Sequence, residues 1–306
     1  MHEPLGRVLV TGANGSLGRG LIGHLHAAGA RLRALVRSER AAAMLRTLEP
    51  APEIAIVAWT DAAGLAHAAA GCDAAVHLVG VLKETPAQRY ADAHEGSAGA
   101  LAAAAKQSGM HRIVYLSIVG ADAGSRNACL ASKARAEAIL REPPLATTVL
   151  RLPMVLGGDD PATRALRARS RARIVPLVRG GASLEQPIDV RDVYAAIAAA
   201  LGRPELAGRV LDLVGPESLP RRDLVHRAAA LIGKAPHFVS IPHWLIEVFA
   251  GAAERLTATP PLTTPMLGVL EHDDRADPRP ACEALGIELT PLDDTLRRVV
   301  SGGEVA

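Results

Sequence analysis

Aromatic residues are almost missing from this 306-residue chain: two tryptophans, three tyrosines and two phenylalanines make up 2% of it, while 49% is hydrophobic. Ala, Leu and Val must therefore fill the interior, as they do where closely packed helices lie on a parallel sheet. Cysteine is also sparse. Cys72, Cys129 and Cys282 lie far apart with no CxxC pair, which argues against a disulfide framework or a zinc site and suits a reducing cytosol. His24 and His26, two apart on a helix pattern, face different ways, so no metal site is expected. Charge of one sign is lacking too: 34 Lys and Arg stand against 32 Asp and Glu, a formal net charge of +2, and nothing marks a nucleic-acid binder. No apolar run approaches the roughly twenty residues of a membrane helix. The first strand pattern starts about seven residues in, which leaves no room for a signal peptide. The expectation is a soluble, cytoplasmic protein with small-molecule partners.

What the chain does carry is a glycine-rich turn. The apolar run Arg7-Val8-Leu9-Val10-Thr11 opens into Gly12-Ala13-Asn14-Gly15-Ser16-Leu17-Gly18, and Leu21, Ile22 and Leu25 continue a helix pattern behind it. In a dinucleotide clamp each glycine has a task. Gly12 turns the chain sharply off a buried strand, Gly15 lets backbone approach a pyrophosphate, and Gly18 lets the helix pack closely on the sheet. The helix N-terminus then directs N–H groups and partial positive charge at the phosphates. Gly12, Ala13, Asn14, Gly15, Ser16, Leu17 and Gly18 are the expected cofactor cradle.

Strand-like runs at Arg7–Thr11, Leu32–Val36, Ile54–Ala58, Ala74–Val79, Arg112–Ser117 and Thr147–Leu152 alternate with helix patterns, including the alanine run Ala102–Ala105. This alternation predicts an α/β fold with a Rossmann-type, doubly wound parallel sheet over residues 1–158. Ligands should gather at the carboxyl ends of its strands. Residues 159–306 read as a mixed region with a smaller C-terminal lobe, some of whose elements return to the sheet. It opens with a loop-rich excursion containing Arg164, Arg167, Arg169, Arg171 and Arg173, which is either a solvated segment or a cationic surface for an acidic substrate, lipid or partner. Helices are expected from Asp189 and over Pro220–Ile232, with a strand at Val210–Val214. The segment from His243 to Ala250 predicts a helix with Trp244, Leu245, Val248 and Phe249 on one side, a core face in the first reading and a docking surface in the second. Glu271, Asp273 and Asp274 read as a solvated acidic face.

Several segments in order resemble the extended short-chain dehydrogenase/reductase superfamily: Thr11-Gly12-x-x-Gly15-x-x-Gly18, Gly71-Cys72-Asp73, Tyr115-Leu116-Ser117, Ser132-Lys133 with Glu137, Arg151-Leu152-Pro153, and Gln186-Pro187-Ile188-Asp189-Val190-x-Asp192. Within it, His77-Leu78-Val79-Gly80-Val81 with Glu84-Thr85, Val119-Gly120-Ala121-Asp122, and Leu262-Thr263-x-x-Met266 ahead of Asp273-Asp274 resemble the atypical branch that holds the nucleotide-binding accessory subunit of respiratory complex I and its bacterial relatives. The resemblance implies a cofactor held by the turn, by Leu78, Val79, Gly80 and Pro153, and by Lys133. It also implies chemistry lost or altered, and a respiratory or quinone-related protein partner or a membrane surface. The location is then cytoplasmic, or peripheral to the inner face of a membrane.

Two positions sharpen that implication. Val36 is followed by Arg37-Ser38 where NAD-selective folds end the second strand on an acid, so Arg37, with Ser38, is suited to a 2′-phosphate. NADP(H) is expected, with NAD(H) as the alternative. Relatives carry an Asp after the third strand to meet adenine; here that place falls on Ala58, with Trp59 next, expected as a core or surface residue. Active relatives carry Tyr-x-x-x-Lys on one helix face; here the pattern reads Cys129-Leu130-Ala131-Ser132-Lys133. A free thiol titrates near 8.5 against roughly 10 for tyrosine, and Lys133 is expected to lower it further. Yet a thiol is short and a weak donor, and Cys129 reads best as a small apolar filler. Lys133, Ser117 and Cys129 are the catalytic candidates, Ser117 more as a cofactor contact. For His77, Lys83, Glu84, Tyr90 and His94, also near strand ends, structural duty is expected. The alternative to lost catalysis is an active NAD(P)H-dependent oxidoreductase or epimerase with a non-standard proton donor.

Overall fold

The apolar runs become strands because residues buried on both faces of a sheet must satisfy their backbone through neighbouring strands, and a sheet covered by helices on both faces reads as short, nearly continuous apolar runs. The computed structural model describes residues 5–158, 160–257 and 259–302. Its main strands are β1 (Arg7–Thr11), β2 (Arg31–Val36), β3 (Glu53–Ile56), β4 (Ala74–His77), β5 (Arg112–Ile118), β6 (Ala146–Leu152) and β7 (Val210–Asp212). They form one seven-stranded sheet in the order β7-β6-β5-β4-β1-β2-β3, with every neighbouring pair parallel. The order reverses between β1 and β4, and a crevice opens at their carboxyl ends. Leu78, Val79 and Gly80 leave the sheet there instead of extending β4, and the Leu78 amide bonds back to the Thr11 carbonyl at 3.2 Å.

Helices α1 (Ser16–Ala27), α2 (Glu39–Leu45), α3 (Ala62–Ala69), α4 (Ser97–Ser108), α5 (Ala128–Leu140), α6 (Pro161–Arg171) and α7 (Val190–Leu201) follow in order. One core joins α1, α2 and α7 to the sheet through Leu21, Ile22, Leu45, Val193 and Ile197. The other joins α3, α4 and α5 through Leu65, Leu101, Ala104 and Leu140. Alanine at the faces of α3 and α4 lets the helices approach closely, which explains how so few rings suffice.

The remaining helices are α8 (Arg221–Ala230), α9 (His243–Leu256), α10 (Thr264–Leu270), α11 (Arg279–Leu285) and α12 (Leu292–Ser301). A third apolar cluster gathers Leu166, Leu177, Leu224, Val225, Leu296 and Val299 from α6, α8, α12 and a two-stranded parallel ribbon of Ile174–Val178 and His237–Ile241. By contrast, α7 and β7 pack with the sheet, although they follow residue 159, which lies outside the described residues.

Three expectations are corrected. The stretch after Asp160 is a helix: the Asp160 carboxylate caps it by accepting from the Thr163 amide at 2.8 Å, Pro161 starts it, and Thr163, Leu166 and Ser170 supply its buried stripe. Two of its arginines are used internally, Arg167 donating to the Val299 carbonyl and Arg171 to that of Val300, near the carboxyl end of α12. The Glu271 carboxylate turns inward and accepts from Arg221 at 2.7 Å, whereas Asp273 stays exposed while it accepts from the Leu184 amide, so the solvated reading holds for Asp273 and fails for Glu271. The stripe on α9 faces outward: Ala250 is the helix's one buried residue, and Trp244 is 64% exposed. No helix among the described residues is long and apolar enough to cross a membrane.

Candidate dinucleotide site

The turn after β1 is built as the glycines require. Gly12 has φ +69°, and a Cβ there would stand 3.1 Å from the Leu78 backbone. At Gly18 a Cβ would meet the Ala13 carbonyl oxygen at 2.5 Å, so the first turn of α1 lies directly on the loop beneath it. Gly15 is the N-cap of α1 and supplies no side-chain bond to its first amides. Those donors are left to a ligand.

Two cavities meet at this turn. The larger, of about 340 Å³, is lined by Gly12, Gly15, Ser16, Leu17, Gly18, Leu78, Gly80, Val81, Leu82, His94, Ser117, Cys129, Lys133 and Pro153, among others. The second, of about 230 Å³, shares Gly12, Gly15, Leu78, Gly80 and Val81 and adds Asn14, Val79, Arg37, Trp59 and Gln88. Together they trace a cleft across the carboxyl ends of β2, β1, β4, β5 and β6. Ala13 is fully buried under the turn and lines neither cavity. Ser38 also lies outside both walls: its hydroxyl oxygen caps α2 by accepting from the Ala41 amide at 3.3 Å. Ser38→Ala is expected to cost about 1 kcal/mol of stability in urea unfolding, as loss of an N-cap does.

At the end beside β2, the Arg37 guanidinium lies over the Trp59 ring, 3.6 Å from its centroid. Gln88, with its amide oxygen turned to the cation, accepts from Arg37 at 2.8 Å. Trp59 is therefore a cleft wall and an arginine platform. Ala58 is exposed and takes no part.

At the other end, Lys133 on α5 donates to the Tyr115 hydroxyl at 3.0 Å and to the Leu116 carbonyl at 2.8 Å. Burial lowers its pKa to about 8. A Cβ on Gly80 would stand 3.2 Å from Lys133 Nζ, so the bare glycine keeps this wall open. Cys129 points its thiol at the Val81 carbonyl, 3.8 Å away. Burial pushes that thiol up to about 11 even though Lys133 pulls it down, so the expected net lowering is reversed. The Ser117 hydroxyl is turned to Glu137, which also takes two hydrogen bonds from Arg151 at 2.9 and 2.7 Å.

The other acid/base candidates are held in the frame. His77 is buried between the Thr11 and Ser97 hydroxyls, at 2.7 and 3.1 Å, and burial takes its pKa down to about 3. His94 Nε2 lies 3.1 Å from both the amide and the carbonyl of Val81, and burial lowers this imidazole to about 3 too. Lys83 reaches the Pro260 carbonyl, and the Glu84 carboxylate accepts from the Tyr90 amide. The Tyr90 phenol donates to the Leu82 carbonyl and is raised by burial. Tyr115 pairs with Lys133 in space without the Tyr-x-x-x-Lys spacing. It is fully buried beneath the cleft and raised by burial, and a strand residue gives no sequence signal of such a contact. Among the described residues no cluster of three His, Cys, Asp or Glu is placed to hold a metal.

The sheet, the crossover and the glycine cradle define a dinucleotide-binding α/β protein of Rossmann type. Residues 12–204 match the NAD(P)H-binding family, and the chain belongs to it. It is 29% identical over 274 residues, 86% of this chain and 67% of the relative, to NADH dehydrogenase [ubiquinone] 1 alpha subcomplex subunit 9, mitochondrial, of Arabidopsis thaliana. To the ceramide reductase of Caulobacter vibrioides it is 26% identical over 238 residues, 78% of this chain and 74% of the relative. The crystal structure of a nucleoside-diphosphate-sugar epimerase from Pseudomonas aeruginosa superposes with a TM-score of 0.72 at 24% identity, covering 96% of both chains. These matches bear out the resemblance to the extended short-chain dehydrogenase/reductases and to the complex I accessory subunit. NAD(P)H fits the residues present: an uncapped helix start, a glycine floor, and a buried ammonium at one end with a guanidinium at the other.

Proposed function

We propose that this chain holds NADP(H) and does not turn it over by the tyrosine route of its active relatives, acting as a cofactor-loaded partner in a respiratory or quinone-related assembly. In this reading Gly12, Asn14, Gly15, Ser16, Leu17 and Gly18 hold the pyrophosphate over the buried Ala13, and Arg37 takes the 2′-phosphate while Ser38 caps the helix that follows. Leu78, Val79, Gly80, Lys133 and Pro153 enclose the ribose and nicotinamide. When bound, NADP(H) supplies a hydride donor or acceptor. The observation that carries the reading is Cys129: where the phenol of an active relative would exchange a proton, a thiol pushed up to about 11 stays neutral at physiological pH and makes a poor acid. Similarity to the complex I subunit supports the respiratory partner, and the location proposed is the cytoplasm, at the inner face of a membrane.

The second reading is an NAD(P)H-dependent oxidoreductase or epimerase with a different proton donor. The similarity to a ceramide reductase favours it. The first reading is tested by extracting nucleotide from the purified protein and titrating NADPH and NADH calorimetrically. NADPH is expected to co-purify and to bind at least about tenfold more tightly, as one charge-assisted phosphate contact would give. Equal affinities would remove the NADP(H) preference.

A further inference from the structure

Five of the ten large apolar side chains exposed among the described residues sit on α9: Trp244, Leu245, Val248, Phe249 and Leu256. At roughly 100° per residue they share an arc of about 140°. This is the reverse of a globular surface helix, whose apolar side turns inward. The acids of α9 lie off that arc. Glu247 pairs with His243 at 3.4 Å, and Glu254 accepts from the Thr264 amide.

Cations flank the face instead. Arg255 stands at its Trp244 edge near the C-terminal end of the helix. Arg179 follows Val178, which pairs with Ile241 just before the helix begins. Both are exposed, and neither has an ion-pair partner among the described residues. The ribbon leading into α9 adds exposed Ile174 and Val239.

We propose that α9 lies in the surface of an anionic phospholipid bilayer, its rings and aliphatic side chains among the acyl chains and Arg179 and Arg255 on the phosphates. Tryptophan suits that depth, with an apolar ring and one polar N–H. Fourteen residues of helix span about 21 Å against about 30 Å of hydrocarbon, so α9 lies along the surface. Charge decides against a second copy as the occupant. A two-fold pairing of this face would set the same unpaired cations together with no acid on the arc to meet them. The C-terminal end of α9 also lines a cavity of about 370 Å³ with Tyr90 and Thr263, so a docked helix holds that cavity near the headgroups. The inference does not depend on which dinucleotide the cleft holds.

The test is flotation of the full chain, loaded with NADPH, with vesicles of phosphatidylglycerol and phosphatidylcholine in equal parts and with phosphatidylcholine alone. Binding to the anionic vesicles is expected, weakened by salt, and reduced about tenfold or more in Val248→Glu and in the Arg179→Glu/Arg255→Glu double variant. All these side chains are exposed, and unchanged NADPH affinity reports an intact fold. Failure of the wild-type chain to float, or flotation of Val248→Glu as strong as wild type, overturns the proposal. So does a wild-type dimer in light scattering that Val248→Glu dissolves, since the face would then pair copies of the chain. Flotation without NADP(H) binding would leave this inference standing and remove the cofactor reading.

Discussion

Lys133→Met is expected to stabilise the ligand-free protein while it weakens NADP(H) binding. Burial lowers the Lys133 ammonium from 10.5 to about 8, a penalty of about 3 kcal/mol on the charged form in the fold. Methionine fills similar volume without that penalty, though the Tyr115 hydroxyl and the Leu116 carbonyl lose their donor. A net gain of about 1 kcal/mol remains after the two hydrogen bonds, each worth about 1 kcal/mol, are lost. The pH dependence carries the sign. Between about 8 and 10.5 the unfolded lysine binds its proton and the folded one releases it, so wild-type stability rises with pH across that window. The variant should lack the rise. NADPH affinity should fall about ten- to hundredfold, since a charged donor contributes roughly 1.5–3 kcal/mol. Urea unfolding at two pH values and calorimetry check both halves. A destabilised variant with wild-type affinity would make Lys133 a structural residue alone.

Arg37→Ala is expected to lower NADPH affinity ten- to hundredfold and to leave NADH within about twofold. Arg37 lies partly exposed over Trp59 with Gln88 beside it, so its fork is held in place before a phosphate arrives. The charge-dependent part should weaken with salt for NADPH and not for NADH. An equal loss for both cofactors would mean that Arg37 only props the Trp59 wall.

The parallel sheet was legible in the sequence because its buried strands are short apolar runs with few alternatives, and the glycine turn because φ +69° at Gly12 and the close approach at Gly18 admit little else. Lys133 was legible through its spacing to position 129. What escaped depended on tertiary neighbours. Local pattern gave α9 its apolar stripe but could not say which way the stripe would face. The arginines of α6 resembled a polar loop because Asp160, Pro161 and the carbonyls of α12 were needed to make them a helix. The Cys129 thiol turned on a contest between burial and one nearby charge, and burial prevailed. Trp59 became a cleft wall only when β2 and β3 brought Arg37 across it.

We propose that this protein holds a redox cofactor without using it by the family's chemistry, which hydride transfer from bound NADPH to a panel of quinones and ketones tests when nicotinamide absorbance is followed in wild type and in Cys129→Tyr. The wild-type protein should leave NADPH unoxidised, with any transfer appearing only once the tyrosine is restored opposite Lys133. Sustained oxidation by the wild type, abolished in Lys133→Met, would contradict the account and make the chain a working oxidoreductase.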